Sequence, residues 1–460
     1  MNNISNRWLQ HCILLFGPLL TVIDVFIVNI AIPSIKKSLL ATDSEVELVI
    51  AAYIIGYASF LITGGRLGDY WGRKKMFMLG MFLFVVTSAL CGIAKSPLLL
   101  ILGRLLQGIS GAIMTPQPLS YLQILFPEPK VRAKALGLVG FTLGIGSLLG
   151  QFLGGYFAEL QVQIDGWRFI FFINLPIGLI ALLATYQFII ETPINRQQKF
   201  DYLGVFLLSI SLSGIVYPLT EGRELGWPLW SILILILAII VFVYFIYYQK
   251  KLTDGHKNPL INIHLFQIKS FRIGILMVIF YFMTHTSFYL TSTIFLQNGL
   301  NMSSYQTGLL FVYSGILFVV SSLLSIRLVN KLGKLALQLG ILLMIADLSL
   351  QTFFFTKEAS YETLLSLIAL TGLAGGLIIP ALLNFTLKEI TPQFSGAAAG
   401  VYNTSQQMAA SLGISVIAGI FFLTIAKTGD IPKAFHYSLF AQISSLIFAF
   451  IFSCFYKLSK

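Results

Sequence analysis

Three charged side chains stand deep inside otherwise apolar runs: Asp24 in "LLTVIDVFIVNIAIP" (Leu19 to Pro33), Arg104 in "LGRLLQGISGA" (Leu102 to Ala112) and Asp347 in "LLMIADLSL". A charge at the centre of a membrane helix costs about 2.5–3.5 kcal/mol on insertion scales, so each is expected to face protein or water and to have a task. An aspartate beside an arginine, in a cavity that wets from alternate sides, can take up and release a proton. A cationic solute can then compete for the same carboxylate, or be linked to the proton through it. His285, in "YFMTHTSFYL", is a further titratable group, although a lone membrane histidine is more often a hydrogen-bonded packing residue.

The elements that would hold these residues follow from composition. Of 460 residues, 57% are hydrophobic and only 10% charged, with a mean hydropathy of +0.86. That is an all-α polytopic membrane protein, because a soluble domain needs far more charged surface. The first apolar run is long and lacks a small-residue cleavage site, so it reads as a retained helix. Fourteen spans are expected, over 10–34, 46–66, 76–94, 97–125, 131–159, 167–190, 201–219, 228–249, 271–297, 303–330, 334–355, 362–387, 395–425 and 432–456.

An even number places both termini on one side. Most of the 30 basic residues, among them Arg73, Lys74, Lys75, Lys250, Lys251, Lys331 and Lys334, fall in loops or span ends of that side, which the positive-inside bias assigns to the cytoplasm. The net charge of +12 is spread over many short loops beside anionic lipid, not gathered in a nucleic-acid patch. Cys12, Cys91 and Cys454 show no metal-ligand spacing and read as packing residues. No phosphate-cradling loop, metal cluster or catalytic triad appears, so no cofactor or metal is expected and an enzyme or ATP-driven pump is disfavoured. Glu191, Glu221, Glu224 and Asp254 fall in loops and call for no functional role.

The chain repeats itself. "RLGDYWGR" (Arg66 to Arg73) returns as "RLVNKLGK" (Arg327 to Lys334), "GISGAIMTP" (Gly108 to Pro116) returns as "GLAGGLIIP" (Gly372 to Pro380), and Gly137 and Gly150 map onto Gly400 and Gly413. Nearly equal offsets in three separate segments indicate duplication, although small residues recur in any crowded bundle. The expected organisation is a six-helix bundle over 1–190, two inserted helices with flanking loops over 191–270, and a second six-helix bundle over 271–460. Related bundles with a solute path between them are a transporter plan.

The segment "GGRLGDYWGRKK" (Gly64 to Lys75) resembles the signature loop of the major facilitator superfamily. "LTVIDVFIVNIAIP", with Asp24, Asn29 and Pro33, is similar to the first-helix motif of its 14-helix drug:proton antiporters, and "LGRLLQGISGA", with Arg104, Gln107 and Gly108, to their fourth-helix motif. "GWRFIFFINLPIG" (Gly166 to Gly178) is similar to the outer end of helix 6 in that branch. The resemblance implies the major facilitator fold with 6 + 2 + 6 helices, proton coupling through Asp24 and Arg104, and a cytoplasmic gate at Gly65, Arg66, Gly68, Asp69, Gly72 and Arg73. The chain departs from the helix 5 motif: Gln151 stands where a proline usually follows the glycine, removing an expected bend and offering a hydrogen-bonding group to the cavity.

The expected function is a monomeric, proton-driven exporter of small amphiphilic, cationic compounds across the cell membrane, with Asn29, Gln107, Gln151, His285 and Asp347 as cavity candidates. The alternative is an exporter of a specific metabolite or siderophore-like, anionic solute; the mixed charges Asp24, Asp347 and Arg104 leave both open. A receptor reusing the fold would need an added soluble domain, and the longest loop, about 250–270, is too short for one.

Overall fold

The computed structural model describes residues 2–160, 163–191, 201–255, 257, 259–390 and 395–455. The side chains of Arg66 and Asp69, two of the expected gate residues, lie outside the described set, as do Arg196 and Lys199 at the expected edge of the first bundle. Among the described residues 14 helices are long and apolar enough to cross a membrane. In chain order they are α1 (Arg7–Leu39), α2 (Asp43–Leu61), α3 (Arg73–Gly92), α4 (Pro97–Leu122), α5 (Leu138–Ala158), α6 (Gly166–Phe188) and α7 (Tyr202–Gly222). They continue as α8 (Leu229–Asp254), α9 (Lys269–Gly299), α10 (Ser304–Val329), α11 (Lys334–Phe354), α12 (Tyr361–Leu387), α13 (Ala398–Thr428) and α14 (Ile431–Phe455).

The spans begin where side chains satisfy the orphan amides of a first turn. Thr42 and Glu45 form a capping box that starts α2 at Asp43, a few residues before the apolar run, and Ser303 with Gln306 does the same for α10. Ser96 caps α4 and Ser360 caps α12. These four caps are repeat partners, so duplication is written in the helix starts as well as in the glycines. The chain turns from α2 into α3 at Gly72 (φ 103°) and from α10 into α11 at Gly333 (φ 57°), backbone that a side chain rarely tolerates. Each glycine leads straight into a helix, which draws Arg73, Lys74 and Lys75 into the first turn of α3 ahead of the expected start at 76. Pro116, lacking an N–H, interrupts α4 after Met114.

Packing follows the duplication. Within the first bundle α2 lies on α4, α1 on α5, and α3 on α4 and α6; within the second, α10 lies on α12, α9 on α13, and α11 on α12 and α14. The bundles meet along α5–α10 and along α2–α13. In the α5–α10 seam, an added Cβ on Gly155 would stand 2.6 Å from the Ser304 carbonyl oxygen, and one on Gly308 would stand 2.9 Å from that of Gln151. Tyr305 N donates to Glu159 Oε1 (2.7 Å), and Gln297 Nε2 donates to the Ile30 carbonyl (2.9 Å), fastening the end opposite the basic loops. Further along α5, toward the basic end, a Cβ on Gly140 would meet nothing within 4 Å.

The inserted helices pair with each other, and α7 packs on α2. Ser44 Oγ donates to Glu221 Oε1 (2.8 Å), and Thr220 Oγ1 shares a hydrogen bond with Ser415 Oγ (3.1 Å), so neighbouring residues beside the end of α7 hold both bundles. Ser415 sits in a π-helical turn, Ile414–Ala418, within α13. The most lipophilic stretch of α8 is only 17% buried, whereas that of α2 is 89% buried, so α2 lies inside the assembly and α8 on its apolar rim.

Candidate functional site

Asp24 faces the interior of the first bundle, where neighbouring spans supply its polar partners. Its Oδ2 is ion-paired with Arg104 Nη1 of α4. Its Oδ1 accepts from Gln107 Nε2 (2.9 Å) and from Asn174 Nδ2 of α6 (3.3 Å). Gln107 stands one turn beyond Arg104, so both project to the same side of α4, and Arg104 Nη1 also donates to Gln107 Oε1 (2.8 Å). Ser88 of α3 closes the set: its Oγ accepts from Gln107 (3.2 Å) and Asn174 (2.9 Å) and donates to the Phe171 carbonyl (2.9 Å).

From α2, the Val49 carbonyl accepts from Arg104 Nε (3.3 Å), and the Tyr53 ring lies 4.2 Å from the guanidinium carbon. Asp24, Gln107, Asn174 and Ser88 are wholly buried and Arg104 is 1% exposed. Five spans therefore contribute to one buried, cross-braced ion pair. Such a pair holds its charges only while both partners remain, since a lone buried charge costs several kcal/mol. A proton delivered to Asp24 would cancel the attraction and free Arg104 for other acceptors.

The sequence brought Asp24, Arg104 and Gln107 forward, and the fold puts them in hydrogen-bond contact. Asn174 and Ser88 were not singled out, although Asn174 lies inside the quoted "GWRFIFFINLPIG"; an uncharged amide gives no signal of its own until the rotation of its helix is known. Asn29 is buried with its Oδ1 unpartnered and is not bonded to Asp24. Gln151 donates to Ser147 Oγ (3.0 Å) one turn back on α5, and its Oε1 has no partner.

His285 and Asp347 belong to the second bundle. The His285 ring is set among Tyr281, Phe282 and Tyr289, with centroids 5.2–5.8 Å away. With Thr284, Met344 and Thr371 it lines a cavity of about 10 Å³, room for a single water. Asp347 is fully buried; its Oδ2 accepts from Thr371 Oγ1 (2.6 Å) and Gln351 Nε2 (3.1 Å).

The loop expected to gate is fastened to its own bundle. Arg73 Nη1 donates to the Ser120 carbonyl (2.8 Å) and Lys74 Nζ to the Tyr186 carbonyl (2.9 Å). Glu191, which the sequence left as a plain loop acid, accepts from the backbone amides of Lys74 (3.0 Å) and Lys75 (3.1 Å), capping α3. A Cβ on Gly68 would stand 2.8 Å from Gln117 Cδ, while one on Gly65 would meet only Pro116, at 3.6 Å. Among the described residues no three of His, Cys, Asp and Glu gather as a metal-holding group.

Residues 14–201 and 196–414 match the family model described as Major Facilitator Superfamily. The chain is 32% identical to the puromycin resistance protein pur8 of Streptomyces alboniger, over 93% of this chain and 85% of that one. It is 30% identical to the Streptomyces coelicolor protein described as "Probable actinorhodin transporter", over 91% and 73%. Among solved structures, a bacterial homolog of the human lysosomal transporter Spinster, inward-facing and occupied, superposes with a TM-score of 0.72 at 16% identity, covering 97% of this chain and 95% of that one.

Proposed function

The chain belongs to the major facilitator superfamily, in its drug-efflux branch, and from that premise we propose that it is a proton-coupled exporter of small amphiphilic cations working by alternating access. It is a multi-pass membrane transporter, not an enzyme. The observation that carries the finer reading is the Asp24–Arg104 pair, buried among Gln107, Asn174, Ser88 and Tyr53. A carboxylate so placed can exist charged against arginine or neutral with a proton, and the two states pull differently on five spans.

In this reading protonation from the outside loosens the pair, the bundles rock about the seams α5–α10 and α2–α13, and release inside restores it. The loop at Gly65, Arg66, Gly68, Asp69, Gly72 and Arg73 serves as the cytoplasmic gate. Both termini lie in the cytoplasm, the side to which the basic loops assign them, and the monomer is the working unit. Asn29, Gln151, His285 and the second-bundle aromatics offer cavity groups for an aromatic cation.

The test is transport into everted vesicles with a panel of compounds, ethidium among them, read beside a pH dye. Compound entry should release protons from an acid lumen, and Asp24→Asn should remove the part of that release that Asp24 carries. Export that persists after both the pH gradient and the membrane potential are dissipated would sink the proposal. If anionic compounds alone move, the metabolite-exporter alternative takes its place.

A further inference from the structure

The two bundles place their acids on different helices. Gly150 packs on Ile23 and its repeat partner Gly413 packs on Met283, which sets Asp24 equivalent to Thr284. Gly80 packs on Met114 and Gly340 on Ile378, which sets Asp347 equivalent to Thr87, next to Ser88 of the first network. By the same register Thr371 stands where Gln107 stands, and the place of Arg104 is taken by Ile368, fully buried. The second bundle thus has an acid held by the counterpart of Gln107, with no base among the described residues at the counterpart of Arg104.

Asp347 is fully buried, its Oδ1 has no hydrogen-bond partner, and both donors it meets, Thr371 and Gln351, are spent on Oδ2. The spans packed on α11 are α10, α12 and α14. Their titratable groups are Tyr305, exposed Tyr313 and Arg327 on α10, Tyr361 and Glu362 at the start of α12, and Lys433, His436 and Tyr437 near the start of α14, with exposed Cys454 at its far end. Arg327 is near the far end of its span. Beyond Thr371, across the small cavity, stand His285 and Tyr289 of α9, with Tyr281 one turn away. Among the described residues no cation offsets a charge on Asp347, and an isolated buried carboxylate is far costlier than its acid form.

We propose that Asp347 is a second proton-binding group, neutral in the packing seen here, so that each exchange cycle carries two protons, one per bundle. The cavity beside Thr371 and His285 gives a water a place from which to take that proton when the bundle opens. The step is a transfer of one proton from the Asp347 carboxyl to water, leaving a carboxylate. The stoichiometry rests on the coupling reading above; the protonation state of Asp347 does not.

Two measurements separate them. Infrared difference spectra of the full-length protein in lipid at neutral pH should show a buried carboxylic-acid C=O band that Asp347→Asn removes, Asp347→Glu shifts and Asp24→Asn leaves. Thr371→Val should move it to higher frequency. A spectrum that Asp347→Asn does not change overturns the proposal, whatever the vesicles do. In everted vesicles, ethidium entry against two protons moves net charge, so an interior-positive potential should speed it; in Asp347→Asn the exchange becomes electroneutral and that acceleration is lost. Equal voltage dependence in both would overturn the second-proton assignment. If neither chain couples ethidium to protons while the infrared band behaves as stated, the coupling reading fails and the protonated site stands.

Discussion

Gly108 and Tyr53 meet backbone to backbone: an added Cβ on Gly108 would stand 2.9 Å from the Tyr53 carbonyl carbon and 3.0 Å from the Tyr57 amide nitrogen. The same approach lets the Tyr53 ring cover Arg104, one turn away on α4. A main chain cannot step aside as a side-chain tip can, so the distance between α2 and α4 is set by this glycine.

Gly108→Ala should therefore destabilise the first bundle by about 1–3 kcal/mol, as overpacking does in other interiors. Gly140→Ala, where the new Cβ meets nothing within 4 Å, is the control and should be neutral to slightly stabilising, since alanine favours the helix. Thermal unfolding followed by fluorescence-detected size exclusion reads both, and equal shifts in the two variants would refute the assignment.

Removing one member of the ion pair should cost more than removing both. Asp24→Asn or Arg104→Gln alone strands a buried partner, at about 3–5 kcal/mol. The double substitution should recover much of that stability, yet still lack the proton that Asp24 would carry. A double variant as unstable as the sum of the singles would mean that the pair is not the energetic unit.

Acid should compete with cargo. If ethidium and a proton share Asp24, ethidium affinity for the purified protein falls as the medium is acidified, by up to about tenfold per pH unit where one proton is exchanged. Asp24→Asn should flatten that dependence. Fluorescence titration at several pH values checks it, and an affinity that rises on acidification contradicts competition.

Glu191 should matter more than a loop acid ordinarily does. Glu191→Ala frees the amides of Lys74 and Lys75 at the start of α3 and should cost about 1 kcal/mol, the usual value of a lost cap. Glu191→Gln keeps an acceptor and should cost a few tenths, the share of charge against the helix dipole. Parallel thermal unfolding of the two variants tests the order.

These relations divide by how much of them a linear chain can carry. Asp24 and Arg104 were legible because a charge in a greasy run is conspicuous, and Gln107 because it sits in the stretch that resembles the fourth-helix motif. The duplication was legible because close helix approach demands glycine at fixed places. Ser88, Asn174 and Tyr53 were not, since each is an ordinary membrane residue until the rotation of α3, α6 and α2 brings it to Arg104 or Asp24. Asn29 lies five positions from Asp24 on the same helix, about 140° round it, so the two side chains point apart. Asp347 showed as a charge but not as an unpaired one; that required seeing Ile368 in the place of an arginine.

The bridge at α7 bears on how any of this can move. Glu221 holds Ser44 of one bundle and the adjacent Thr220 holds Ser415 of the other, and adjacent helical residues lie only about 1.5 Å apart along the axis. While both bonds persist, the two bodies share a point, and a shared point between rigid bodies is a fulcrum. Displacement there is nil and grows with distance, so the widest excursion falls at the far, basic end of the molecule. In the proposed rocking the inserted pair would set the pivot of a lever whose long arm is the proposed gate loop.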